Sequence, residues 1–215
     1  IKKINQLDTL SVHAGVKTDP LTGAVMTPIY ATSTYAHDRP GEHKGYEYSR
    51  SQNPTREVLE NSIAELESGY KAFAFASGVA AQTAVLDLLK PGDHVIAFDD
   101  LYGGTFRLFN EIKSKSSNIE FTFVDLNTNF SKEIKKNTKM IWIETPTNPL
   151  LKITDLKRIA RIARKNKLIT VCDNTFATPY NQRPLEHGID IVNHSTTKYI
   201  NGHSDVIGGA LVIGK

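Results

Sequence analysis

"KMIWIETPTNPLLKITDLKRIARIARKNKLITVCD", Lys139 to Asp173, is the stretch on which the fold turns. "KMIWIET" is a short apolar run, and "LITVCD" is another. Between them "TDLKRIARIARKNK" repeats Ile and Ala at helical spacing, with its basic residues left for a solvated face. Neither apolar run alternates strictly with polar residues, which is how strands covered on both faces read. Two such strands joined by a helix run parallel.

The pattern extends in both directions. "KAFAFAS" (71–77), "HVIAFD" (94–99), "IEFTFVD" (119–125) and "IDIVNHS" (189–195) read as further strands. "NPTREVLENSIAELESG" (53–69), "GVAAQTAVLDLLKPGD" (78–93) and "GGTFRLFNEIKSK" (103–115) read as helices. In the first of these Asn53 is the expected N-cap, Pro54 the first helical residue and Gly69 the stop. The expectation is one α/β domain over residues 53–215, doubly wound, with a mostly parallel sheet and helices on both faces. Residues 1–52 differ. "DPLTGAVMTPIYATSTYAHDRPGEHKGYEYSR" (19–50) is punctuated by Gly, Pro and Thr and is expected to form an extended arm. Segments this long without helix or strand usually line a site or wrap a partner subunit.

Composition removes several classes of function. The chain has 215 residues, 40% hydrophobic and 23% charged, with 26 basic against 23 acidic residues and a net charge of +3. So small and dispersed an excess predicts no nucleic-acid partner. No apolar run is long enough for a membrane helix, and the opening residues lack a signal-peptide core. The single cysteine, Cys172, lies in an apolar strand and reads as a small buried hydrophobe. These features suit a reducing cytoplasm.

Sheets of this kind bind ligands at the carboxyl ends of their strands. Those ends read "SG" (77–78), "DDLYGG" (99–104), "ETPTNP" (144–149), "DNTF" (173–176) and "HSTTK" (194–198), so polar and glycine-rich residues collect on one rim. Dinucleotide and nucleoside-triphosphate fingerprints are missing, as are the nucleophile elbow of an α/β-hydrolase and any close metal-ligand spacing. His194 and His203 flank Lys198, and structural roles suit them better than a ligand pair. Lys198 itself follows a strand end behind Ser195, Thr196 and Thr197. A lysine made neutral by burial can attack a carbonyl, either of a substrate or of pyridoxal phosphate. The cofactor would make three further demands. Asp173 can keep its pyridine nitrogen protonated, and Ser195, Thr197 and the amides of Gly78 and Val79 can take its phosphate. Tyr102 can stack on its ring. Taken singly, each of these residues has an ordinary reading as a cap, a turn residue or a core ring.

Six blocks now carry a resemblance: "YEYSRSQNPTR" (46–56), "ASG" (76–78), "LYGGT" (101–105), "ETPTNP" (144–149), "VCDNTF" (171–176) and "HSTTKYINGHSDVIGG" (194–209). In order and content the chain resembles the cysteine/methionine-metabolism family of pyridoxal-phosphate enzymes, the trans-sulfuration enzymes. The resemblance implies the large cofactor-binding domain of the aspartate-aminotransferase-like (fold type I) class. It implies that Lys198 holds pyridoxal 5'-phosphate through a Schiff base, that Asp173 pairs with the pyridine nitrogen and that Tyr102 stacks on the ring. By the same resemblance Ser195, Thr197, Gly78 and Val79 hold the phosphate, with Thr175 on the ring side. Asn148 contacts a cofactor oxygen or the substrate carboxylate, and Tyr48 and Arg50 reach the phosphate of a neighbouring subunit. The assembly implied is a homotetramer of catalytic dimers, acting on a small amino-acid substrate. The family continues into a smaller C-terminal domain, absent from this sequence, which supplies an arginine for the substrate carboxylate. Within the family the blocks look most similar to cystathionine γ-lyases and γ-synthases. Gly104 stands where methionine γ-lyases usually carry a cysteine. The reading from another class is an inactive fragment or assembly module.

Overall fold

The structure is a computed structural model that describes residues 6–214; residues 1–5 and 215, which the expected arm and domain include, lie outside the described residues. The chain divides into two units, 1–66 and 67–215. The first holds helix α1 (Gln6–His13), a small antiparallel pair β1 (His37–Arg39) and β2 (Glu42–His43), and helix α2 (Pro54–Leu66). Asn53 caps α2 as its position predicts, its Oδ1 accepting from the N–H groups of Thr55 at 2.9 Å and Arg56 at 3.3 Å. The helix ends at Leu66, and the left-handed residue that follows is Ser68, with φ 57°, rather than Gly69. Helix α1 was not expected in an extended arm. Its apolar content is slight, and it forms by docking on α2. Ala14 is buried, the Ser62 hydroxyl donates to Ala14 O at 2.5 Å, and Gly15 N–H donates to Glu65 Oε1 at 3.3 Å. Helix α2 therefore groups with the N-terminal residues, whereas the expected boundary at 52/53 precedes it.

The second unit is built on a seven-stranded sheet. Its elements are β3 (Lys71–Phe75), α3 (Gly78–Leu86), β4 (His94–Phe98), α4 (Gly103–Arg107), a π-helical turn (Leu108–Lys113), α5 (Ser114–Ser116), β5 (Glu120–Val124), β6 (Thr138–Glu144), α6 (Leu156–Asn166), β7 (Ile169–Asp173), α7 (Thr178–Asn181), β8 (Ile191–His194) and β9 (Gly209–Ile213). The strand order is β3-β9-β8-β7-β6-β4-β5. From β8 to β5 the strands are parallel, as the βαβ pattern requires. Strand β9, "GALVI", was not anticipated; it enters between β3 and β8, antiparallel to both.

Every residue of β4 and β8 is buried, as are all but one each in β6 and β7, so the sheet is covered on both faces. The edge strands β3 and β5 are more exposed. Trp142 on β6 anchors the core, meeting Phe109 edge-on with ring centroids 5.1 Å apart, and Phe109 stacks on Phe121 at 4.9 Å. Helix α6 buries Leu156, Ile159, Ala160 and Ala163 against this core and turns Lys157, Arg161, Arg164 and Lys165 to water, the solvated face its spacing predicts. Cys172 is buried and free. Among the described residues no helix is long and apolar enough to cross a membrane.

Candidate active site

Segments at the ends of β3, β4, β6, β7 and β8 enclose a cavity of about 300 Å³. Gly78 and Val79 enter from the start of α3, Tyr102 from the loop after β4 and Asn148 from the loop after β6. Asp173 and Thr175 come from the end of β7, and Ser195, Thr197 and Lys198 from the segment after β8. Strand register explains this convergence. Glu144 pairs with Asp173 across β6 and β7, and Asp173 with Asn193 across β7 and β8, so neighbouring strands end level.

Asp173 is the most elaborately held group. Its Oδ1 accepts from Thr175 N–H at 3.0 Å; its Oδ2 accepts from Asn193 Nδ2 at 2.8 Å and Gln82 Nε2 at 3.4 Å. Gln82 is in turn fixed by the Thr105 hydroxyl, which donates to its Oε1 at 3.1 Å. Three donors on a buried carboxyl hold it in place and aim it. Lys198 lines the same cavity. The structure corrects the expectation of burial: Lys198 is exposed, and among the described residues its Nζ makes no ion pair or hydrogen bond.

Helix α3 supplies the anion end. Ser77 is its N-cap, accepting from Ala80 N–H at 3.1 Å, which leaves the first-turn amides of Gly78 and Val79 without acceptors inside the helix. A Cβ at Gly78 would lie 2.8 Å from Ser195 Cβ, so glycine is what lets the helix start and the segment after β8 close into a cradle. The cradle is braced from behind. The Thr175 hydroxyl accepts from Ser195 N–H at 2.9 Å, and Thr197 Oγ1 exchanges hydrogen bonds with Gly208 at 3.1 and 3.2 Å.

The structure also resolves the two histidines. His194 is buried, its Nε2–H donating to Glu67 Oε1 at 2.5 Å, whereas His203 is exposed and donates from Nδ1 to Asn201 O at 2.8 Å. Among the described residues no group of three His, Cys, Asp or Glu side chains could hold a metal ion. Tyr48 and Arg50 belong to the first unit, where the Arg50 guanidinium lies 5.0 Å from the Tyr48 ring centroid. Reading the sequence singled out neither Gln82 nor Glu144, both of which line the cavity. Gln82 had a signal, as a lone amide in an apolar helix one turn after Gly78. Glu144 had another, as an acid at the end of the strand beside Asp173's.

An amine free of ion pairs, a carboxyl held by three donors and an anion cradle therefore share one cavity. Residues 8–215 match the family model described as Cys/Met metabolism PLP-dependent enzyme. The chain belongs to this family. A cystathionine β-lyase of Coxiella burnetii is 58% identical over 99% of the chain, and a cystathionine γ-lyase of Bacillus subtilis is 54% identical over 95%. The chain spans about half the length of these relatives, 55% and 54% respectively. Among solved structures, cystathionine γ-lyase from Lactobacillus plantarum complexed with L-serine aligns with a TM-score of 0.94 at 47% identity, over 97% of this chain and 55% of that one. The metB structure from Corynebacterium glutamicum also gives 0.94, at 46% identity, with the same shares covered. The family's cofactor is pyridoxal phosphate, and the amine, carboxyl and N–H and hydroxyl donors around this cavity suit its aldehyde, pyridine nitrogen and phosphate respectively.

Proposed function

We propose that the whole protein is a trans-sulfuration enzyme of the cystathionine γ-lyase type, cleaving L-cystathionine to L-cysteine, 2-oxobutanoate and ammonia. The observation that carries this reading is the free Lys198 amine in the same cavity as the triply held Asp173 carboxyl. Pyridoxal phosphate, when bound, supplies an electron sink for the pair left on the substrate's α-carbon. The chain does the rest. Lys198 Nζ binds the cofactor, then takes the α-proton and moves protons between substrate atoms. Asp173 keeps a proton on the ring nitrogen, and Tyr102 covers one ring face. Ser195, Thr197 and the amides of Gly78 and Val79 take the phosphate, with Thr175 beside the ring. Asn148 orients a ring oxygen or the substrate carboxylate. Tyr48 and Arg50 serve the phosphate site of a neighbouring copy, within a homotetramer of catalytic dimers in the cytosol.

The block "YEYSRSQNPTR" looks more like that of cystathionine γ-lyases than of β-lyases, and γ-replacement on an O-acylhomoserine is the alternative within the family. The Coxiella burnetii relative's name favours a further reading, β-elimination. Incubation of the full-length protein with cystathionine separates these. 2-Oxobutanoate with cysteine supports the proposal, pyruvate with homocysteine replaces it by β-elimination, and turnover only with an acylated homoserine plus cysteine replaces it by synthesis. Borohydride treatment should fix the cofactor's mass on Lys198, and Lys198→Ala should lose nearly all turnover. A colourless protein that takes up no pyridoxal phosphate would sink the enzyme reading in favour of an assembly module.

A further inference from the structure

Glu144 is a buried acid with no part in the chemistry proposed for the cavity. Glu144 ends β6 directly beside Asp173 on β7, and only 5% of it is exposed. Burial first, and then the neighbouring Asp173 charge, push its carboxyl up to about 8, with Asp100 adding to the rise and two backbone N–H groups opposing it. A buried acid beside another acid is weak evidence for stability, and such groups collect at functional sites.

Its hydrogen bonds show what it holds. Glu144 Oε2 accepts from Tyr102 N–H at 3.0 Å, and Oε1 accepts from Asn148 N–H at 2.8 Å. Both oxygens are thus engaged by backbone, one on the loop after β4 and one on the loop after β6. Asp100 makes a second link between these loops, taking the Thr147 hydroxyl and Leu150 N–H. Only the Glu144 link ends on residues that line the cavity. A second observation ties backbone to ring. A Cβ at Gly104 would fall 2.4 Å from Tyr102 Cε1, so the Tyr102 ring lies against the first turn of α4. The Tyr102 backbone is thus tied to Glu144, and its ring packs where Gly104 leaves room for it.

We propose that Glu144 is a positioning residue that fixes Tyr102 and Asn148 relative to each other across the cavity, and so sets the plane in which a flat aromatic ring is gripped. The inference rests on the pyridoxal-phosphate reading and assigns Glu144 no contact with substrate.

The test uses the full-length protein freed of cofactor, with pyridoxal phosphate as the probe. Glu144→Gln replaces one acceptor by an NH₂ group facing an N–H. It should weaken cofactor binding about 10-fold or more, measured by absorbance titration, and flatten the circular dichroism of the bound cofactor. In a Tyr102→Ala background the same substitution should cost less than in wild type, because the Tyr102 ring, one of the two groups through which Glu144 acts, is gone and only the effect through Asn148 remains. Should Glu144→Gln fail to fold, Glu144→Asp, which keeps the carboxyl group but falls short of both N–H groups, is expected to show the same non-additivity. Full additivity, or unchanged affinity and dichroism in the variant, overturns the positioning role while leaving the cofactor reading intact. A wild-type protein that binds no pyridoxal phosphate overturns both.

Discussion

One methyl group at residue 104 probes the site most directly. Gly104→Ala puts a carbon where the Tyr102 ring now packs, 2.4 Å from Cε1 and 3.1 Å from Cζ. Tyr102 is 46% exposed, so its ring has room to move outward and the fold need not yield. Alanine is also the better helix former within α4. The expected outcome is unchanged thermal stability with about 3- to 10-fold weaker pyridoxal-phosphate binding, the scale of one aromatic stacking contact, read by absorbance titration. Unchanged affinity would mean that the ring's place is immaterial. At this scale the sequence placed the Lys198 amine, the Asp173 carboxyl and the Ser195 hydroxyl at strand ends, and the structure brings the three into one cavity. The sequence was silent on Gln82 and Glu144, whose roles exist only through partners on other strands.

Among the elements, β4 carries a clasp at the end of the sheet opposite the cavity. His94 is buried at its start, with Nδ1 2.7 Å from Thr138 Oγ1 on β6 and Nε2 2.9 Å from Thr122 Oγ1 on β5. A neutral imidazole satisfies both hydroxyls, one as donor and one as acceptor. Burial above all, with Lys135 adding to it, holds its pKa below the ordinary 6.5. In the unfolded chain the ring gains a proton as pH falls through that value, and in the folded chain it resists. The His94 contribution to stability is therefore present above pH 6.5 and is lost as pH falls from there toward the depressed folded value. Thermal unfolding from about pH 8 to about pH 5 should show a steeper acid-side loss for wild type than for His94→Gln, which does not titrate. Parallel slopes would remove the clasp from the account. Strand β9 belongs to this scale as well. Its apolar run "GALVI" was visible, but its place between β3 and β8 follows from pairing and not from its own pattern.

For the whole molecule, the proposal that Tyr48 and Arg50 complete a neighbouring copy's site makes a prediction about mixtures. Full-length Arg50→Ala and Lys198→Ala variants should each be nearly inactive. Mixed in equal amounts and allowed to exchange subunits, they form dimers in which one site has both residues intact. Activity should then return to about a quarter of wild type, since about half the dimers are mixed and each has one good site. No return after proven exchange would place Arg50 in the site of its own chain, or in none. Arg50 lies in a unit of the fold separate from Lys198, so the chemistry of either residue alone does not decide between these outcomes.

By itself the sequence determined the parallel α/β core, because unbroken apolar runs alternating with amphipathic helices bury well in few other ways. It also determined the chemical inventory of the rim, since an amine, an acid and hydroxyls at successive strand ends are fixed by composition and position. Tertiary structure alone decided which of these groups meet. Level strand ends set Glu144 beside Asp173, the glycine at 78 lets α3 close on Ser195, and docking on α2 makes a helix of residues 6–13. The physical reason is the same throughout. Local pattern governs what a segment can become, whereas hydrogen bonds and close packing between segments distant in sequence depend on register and approach, which no single segment encodes.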